Sequence, residues 1–129
     1  MAATELTVTI RHRDGAVILD LVGDIDRDAD APLETAYGQA ATGENLLLNF
    51  TDVGYINSTG IAVIVGLLAR ARAEHREVGA YGLSDHYQTI FNITRLSDFM
   101  GIYPDERSAV GDAPAANGTD VRAARGGGQ

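Results

Sequence analysis

Asn57-Ser58-Thr59-Gly60 sets two small hydroxyl groups side by side, directly after an apolar strand-like run and directly before the longest helical pattern in the chain. A helix start leaves backbone N–H groups without intrahelical acceptors and carries the positive end of the helix dipole. Such a place tolerates added negative charge. A phosphate on Ser58 would bring about −1.5 to −2 charges and could accept hydrogen bonds from the N–H groups of Gly60 and Ile61. Thr59 offers a second hydroxyl one residue on. Asn, Ser and Thr are also the ordinary helix-capping residues, so the tetrapeptide alone specifies a cap, and only its surroundings can assign it more.

Other residue types that could do chemistry are few. Asp24, Asp26, Asp28 and Asp30 place four carboxylates in one short segment. Carboxylates at every second position of a loop are more often a solvated, cap-supplying run than a cation site, and partner contact is the better reading. His12, His75 and His86 are scattered, with no spacing that makes a ligand set or a triad. Cysteine is absent, which removes thiol nucleophiles, thiolate metal sites and disulfides. No Gly-x-Gly-x-x-Gly follows a strand, and all ten basic residues are Arg, so a phosphate-cradling loop with its Lys is missing. The expectation is a substrate of phosphoryl transfer and not an enzyme: no catalytic residue, no cofactor and no bound metal.

The elements that must position these residues follow from periodicity. Leu6, Val8 and Ile10 alternate with polar residues as a strand, Asp14-Gly15 supplies a turn, and residues 16–22 form a more buried second strand ended by Gly23. Asp28 or Asp30 can cap a helix over residues 31–41, with Pro32 in its first turn and Gly43 as its stop. Leu46, Leu47, Leu48 and Phe50 read as a central strand. From residue 59 to 77 the period changes, and Ile61, Ile64, Val65 and Leu68 define one buried helical face. Ala62, Val63, Gly66 and Leu67 form a second stripe of mostly small residues on the same helix. Residues 78–83 form a strand, Ser84-Asp85 caps a helix to Ile93, residues 96–99 turn into a short strand at 100–103, and Pro104-Asp105-Glu106 starts a last helical turn through Val110. The order β-β-α-β-α-β-α-β-α predicts an α/β fold with a mixed sheet of about five strands, its helices packed mainly on one face.

A chain of 129 residues suits one domain and excludes separate cofactor and substrate lobes. Hydrophobic residues at 45% support a packed core. The formal net charge of -8 argues against nucleic acid and anionic lipid as partners and favours a partner with a basic patch. Residues 111–129 cancel in charge and are poor in apolar bulk, so residues 1–110 are expected to form the domain and residues 111–129 a disordered tail. The longest apolar stretch, residues 61–69, falls far short of the roughly 20 needed to span a bilayer, and the N-terminus lacks the pattern of a secretion signal. A cytoplasmic protein without membrane insertion, monomeric when free, is the expectation.

The run Leu48-Asn49-Phe50-Thr51-Asp52-Val53-Gly54-Tyr55-Ile56-Asn57-Ser58-Thr59-Gly60-Ile61-Ala62-Val63 closely resembles the STAS domain of bacterial anti-sigma-factor antagonists. That family's hallmark is an apolar strand, Asp-x-x, an aromatic-aliphatic-Asp pair, and Ser-Ser/Thr-Gly-Leu-Gly at a helix start. Gly23-Asp24-Ile25-Asp26 and Ile90-Phe91-Asn92-Ile93-Thr94-Arg95-Leu96 resemble two further family segments, and the likeness spans residues 5–110 in order. The resemblance implies that an anti-sigma factor serine kinase phosphorylates Ser58. It also implies that the unphosphorylated form binds that kinase and frees a sigma factor, and that a serine phosphatase resets the switch. It places Asn57, Gly60, Ile61, Asp24 and Asp26 around the phosphosite, and Asp24, Asp26, Asp28, Thr59, Ala62, Val63, Gly66 and Leu67 at the partner. Asn57 stands where most phosphorylated members carry Asp, and Arg95 where the family segment has a turn Gly. The alternative is an unphosphorylated STAS subunit of a transporter or other regulatory complex, which Asn57 favours and the Ser58-Thr59-Gly60 sequence does not.

Overall fold

A computed structural model describes residues 5–40 and 45–112. Thr7–Arg13 (β1) and Ala16–Ile25 (β2) pair antiparallel across a two-residue turn. Asp14 and Gly15 both have positive φ, 49° and 84°, the backbone a tight hairpin turn of matching twist requires. A 3₁₀ turn, Arg27–Ala29, leads into Asp30–Gln39 (α1). Asn45–Ile56 (β3), Ser58–Ala73 (α2), Val78–Tyr81 (β4), Asp85–Ile93 (α3), Gly101–Tyr103 (β5) and Glu106–Asp112 (α4) complete the expected order.

The sheet runs β1-β2-β3-β4-β5, with β2 to β5 parallel and β1 antiparallel at one edge. Alternation along the central strands divides the interior in two. Val17, Leu19, Leu46, Leu48, Phe50 and Ala80 face α1, α2 and α3, together with Leu33, Ile64, Leu67 and Phe91. Ala16, Ile18, Leu47 and Tyr81 face the other way and meet Ala109 of α4. Three helices thus cover one face, and the short α4 covers part of the second.

Polar contacts hold α4 there. Glu106 accepts hydrogen bonds from Arg11 Nη2 at 2.6 Å, Arg13 Nη1 at 2.5 Å and the Tyr81 hydroxyl at 2.6 Å. Arg11 also clamps Asp20 through two of its nitrogens, and Asn49 donates to the same carboxylate at 2.8 Å. The Arg11 guanidinium, the Tyr81 hydroxyl and Arg13 together hold the Glu106 carboxyl down at about 2. On the opposite face Tyr37 fastens α1 to α2, donating to Glu74 at 2.6 Å with Arg70 4.4 Å above its ring.

Several boundaries differ from expectation. β2 does not stop at Gly23 but continues to Ile25, because β3 runs on to Ile56 beside it and gives it a ladder to pair with. Neither Asp28 nor Asp30 caps α1: Asp26 caps the 3₁₀ turn by accepting from Asp28 N at 2.9 Å, and Ala29 precedes α1 without a side-chain cap. The expected stop at Gly43 lies outside the described residues. α2 ends at Ala73 and not Glu77, as His75 takes a left-handed φ of 58°. α4 extends to Asp112, past the expected Val110, and the tail over 113–129 lies outside the described residues. Arg95 adopts φ 67°, the left-handed turn for which a glycine was the expected residue.

Candidate functional site

β3 delivers the chain to the start of α2 by a defined path. The Ile56 N–H donates to the Tyr87 hydroxyl at 2.9 Å, and the Asn57 N–H donates to the Ile25 carbonyl at 3.2 Å. Asn57, extended at φ −93°, is the N-cap: its Oδ1 accepts from Gly60 N at 2.8 Å, and its carbonyl accepts from Ile61 N at 2.9 Å. The N–H groups of Gly60 and Ile61 are therefore taken, contrary to the expectation that they await a phosphate. Those of Ser58 and Thr59, the first two of the helix, have no acceptor within it.

Ser58 and Thr59 are both exposed, whereas Gly60 beside them is buried. A Cβ on Gly60 would stand 1.9 Å from the Ile25 carbonyl oxygen. The end of β2 thus presses on the first turn of α2, and only glycine allows that approach. This contact sets the height of Ser58 relative to the acidic loop.

Of that loop, the structure brings Asp26 and Asp28 to the site and leaves Asp24 apart. Asp26, Arg27 and Asp28 join Asn57 and Thr59 around one open depression. Asp24 pairs in register with Tyr55, and its carboxylate lies beside Gly54, where an added Cβ would be 3.5 Å away. Sequence reasoning passed over Arg27, the one cation of the loop. Its signal was visible: a basic residue inside a run of four aspartates has a different electrostatic role from all of them. Among the described residues, no group of three or more His, Cys, Asp or Glu side chains could hold a metal ion.

The outer side of α2 is apolar and small. Ala62 and Gly66 are exposed and Val63 is half-buried. Leu67, expected on this docking stripe, is 2% exposed and belongs to the core, while Val65, expected in the core, is 46% exposed. The buried face centres on Ile64, Leu67, Leu68 and Ala71. The helix is apolar nearly all round, so the choice of face was open until the sheet imposed it. The exposed stripe from Ser58 is Ala62, Val65, Gly66 and Ala69.

Fold and site define a mixed-sheet α/β domain that presents an exposed Ser-Thr pair at the start of its longest helix. The family model described as "Mlab, STAS domain" matches residues 8–102, and the chain belongs to the STAS-domain family of anti-sigma-factor antagonists. The anti-sigma-B factor antagonist of Listeria monocytogenes is 33% identical over 100 residues, covering 75% of this chain and 88% of that protein. The crystal structure of an anti-sigma factor antagonist from Mycobacterium paratuberculosis superposes with a TM-score of 0.70 at 20% identity, covering 83% of this chain and 92% of the other. The Bacillus cell fate determinant SpoIIAA in its phosphorylated form gives a TM-score of 0.60 at 19% identity, covering 84% of this chain and all of the other, 100%. These two structures share the fold.

Proposed function

We propose that the chain is an anti-sigma-factor antagonist whose partner binding is controlled by phosphorylation of Ser58. The observation that carries this reading is the exposed Ser58 hydroxyl beside a completed cap: Asn57 already satisfies the Gly60 N–H, so modifying Ser58 breaks none of the cap's hydrogen bonds. A phosphate there faces the positive end of the α2 dipole and the first N–H groups, which have no acceptor within the helix, so the folded domain carries it without strain. The names of the curated relatives and the phosphorylated state of SpoIIAA support the same reading.

In this scheme an anti-sigma factor serine kinase docks on the unphosphorylated form. It covers Ala62, Val63 and Gly66 of α2 and, near Ser58, Asp26, Asp28 and Thr59, with Asp24 further along the same edge. Phosphorylation sets a doubly charged group inside that interface, next to Asp26 and Asp28, where leaving it unpaired is costly, and the kinase dissociates. A serine phosphatase restores the first state. The kinase supplies nucleotide, metal and base, and this chain supplies only the acceptor hydroxyl. The exchange takes place in the cytoplasm; among the described residues no helix is long and apolar enough to cross a membrane.

Intact-mass measurement and peptide mapping on protein from its own cells, before and after phosphatase, test the proposal. One phosphate on Ser58, removed by phosphatase and absent from Ser58→Ala, is the expected result. A phosphate on Thr59 would move the acceptor by one residue, into the depression that holds Arg27. Asn57, which lacks the charge of the usual Asp, favours a second reading: an unphosphorylated STAS subunit of a transporter or other complex, using the same α2 face as a static dock. No phosphate during growth, starvation or stress would leave Ser58 as part of the helix start and make that reading the better one.

A further inference from the structure

Resting on the Ser58 reading, we infer that Tyr87 of α3 is a positioning residue for phosphoryl transfer: its hydroxyl stands in for a missing strand and holds the end of β3 where Ser58 is presented to the kinase. β3 outruns one of its neighbours. It pairs with β4 only over residues 46–49, yet it continues to Ile56. Beyond Asn49 one edge of β3 still has β2 beside it, as far as the pair Ile25–Ile56, while on the other edge β4 has ended at Tyr81.

Successive residues of a strand in a parallel ladder turn their N–H and C=O groups to opposite edges. The Asn57 N–H bonds the Ile25 carbonyl on the β2 edge at 3.2 Å, so the polar groups of Ile56 point to the edge that β4 has left. Ile56 is 5% exposed, and a buried N–H without an acceptor is costly. Tyr87 meets both groups. Its hydroxyl accepts from the Ile56 N–H at 2.9 Å and donates toward the Ile56 carbonyl oxygen at 3.5 Å. One hydroxyl thus does for Ile56 what the peptide of a neighbouring strand would do.

Packing alone does not ask for that hydroxyl. The Tyr87 ring is half-buried against the core, and a Phe ring would fill the same space. What the hydroxyl adds is a grip on the chain two residues before Ser58. Asn57, between them, is tied to β2 through its N–H and to α2 through its side chain. The segment that enters α2 is therefore held from the β2 edge and from α3 at once, and the first turn of α3 is itself fixed by Ser84, whose Oγ accepts from the Tyr87 N–H at 3.3 Å. Phosphoryl transfer depends on holding the acceptor oxygen in line with the phosphoryl group, so a small shift of Ser58 slows the step while the docking surface on α2 and the aspartate loop stays as it was.

The test uses the full chain as substrate in an ATP-supplemented extract of its own cells, prepared from a strain without the native copy. Phosphate on Ser58 is followed by mass spectrometry over a range of substrate concentrations. Tyr87→Phe is expected to lower the maximal rate about tenfold and to leave the apparent KM within about twofold. Gln88→Leu removes a hydrogen bond of the same helical turn, to the Leu83 carbonyl, and serves as the control for lost stability; it is expected to change neither quantity. A thermal melt confirms that both variants are folded at the assay temperature. Amide exchange gives a readout that needs no kinase: the Ile56 N–H is expected to exchange slowly in the unmodified chain and about tenfold faster or more in Tyr87→Phe, with Gln88→Leu unchanged. An undiminished maximal rate for Tyr87→Phe, a loss carried by KM or shared by Gln88→Leu, or a fast-exchanging Ile56 N–H in the unmodified chain would overturn the proposal and leave the Ser58 switch standing. Absence of phosphate from the unmodified chain would overturn the switch itself, and this proposal with it.

Discussion

Gly60 and Gly66 lie in the same helix and are expected to respond oppositely to alanine. At Gly60 a methyl group would meet the Ile25 carbonyl oxygen at 1.9 Å, which forces β2 and α2 apart. Gly60→Ala should cost about 3 kcal/mol or more in urea unfolding and displace Ser58 from the aspartate loop. At Gly66 an added Cβ meets nothing within 4 Å, so Gly66→Ala should raise stability by about 1 kcal/mol through helix propensity alone. If α2 docks the kinase, the same methyl should weaken that complex, since it stands on the exposed stripe. Asn57 gives a third contrast. Asn57→Ala removes the acceptor of the Gly60 N–H and should cost about 1 kcal/mol, whereas Asn57→Asp keeps it and gains a few tenths from the dipole. Thermal unfolding of the two variants checks the order. An Asn before a Ser-Thr-Gly helix start could be read as a cap from sequence, because capping is local chemistry; the need for glycine at 60 could not, because its cause is a carbonyl on another strand.

At the scale of elements, α4 is attached chiefly through Glu106, whose three donors come from β1 and β4. Its carboxyl is held at about 2 against an ordinary value of 4.5, and that of Asp20 is also lowered, mainly by Arg11. A carboxylate with a depressed folded-state pKa contributes its stability fully above the unfolded value and loses it as pH falls through the folded one. Stability should therefore drop between pH 4.5 and about 2, by about 1–3 kcal/mol from Glu106 once solvent screening is allowed for. Glu106→Gln should flatten that slope without abolishing it, since Asp20 still titrates, and should loosen α4 at neutral pH. Unfolding midpoints across pH 6 to 2, with amide exchange of residues 106–111, measure both effects. The helical turn after Pro104 was legible from its N-terminal residues. Its anchorage was not, because Glu106 and Arg11 are 95 positions apart in sequence.

For the molecule as a whole the dominant quantity is the net charge of -8. A partner with a basic docking patch should associate faster than an uncharged one, and the advantage should vanish with ionic strength as the Debye length shrinks from about 10 Å at 0.1 M to about 3 Å at 1 M. If the partner is the proposed anti-sigma factor kinase, stopped-flow association with it is expected to slow about tenfold between 50 mM and 500 mM salt, with the dissociation rate nearly unchanged. A rate independent of salt would argue against a docking surface built on Asp26 and Asp28.

By itself the sequence determined the kinds of element and their order. Alternation in residues 6–10, the Asp14-Gly15 turn, the Leu46-Leu47-Leu48 run and the Ser84 cap are local patterns, and local backbone preference is enough to read them. The Asn57-Ser58-Thr59-Gly60 start of α2 was legible for the same reason. Only the tertiary structure decided which side of α2 is buried, exchanging the expected places of Val65 and Leu67, because a helix apolar on both sides takes its phase from the sheet it meets. It also decided that β2 runs past Gly23, that Asp26 is the cap of the loop, and that Arg27 joins Thr59 while Asp24 turns to Tyr55. Each of these depends on contacts between segments distant in sequence, whose relative placement no local pattern encodes.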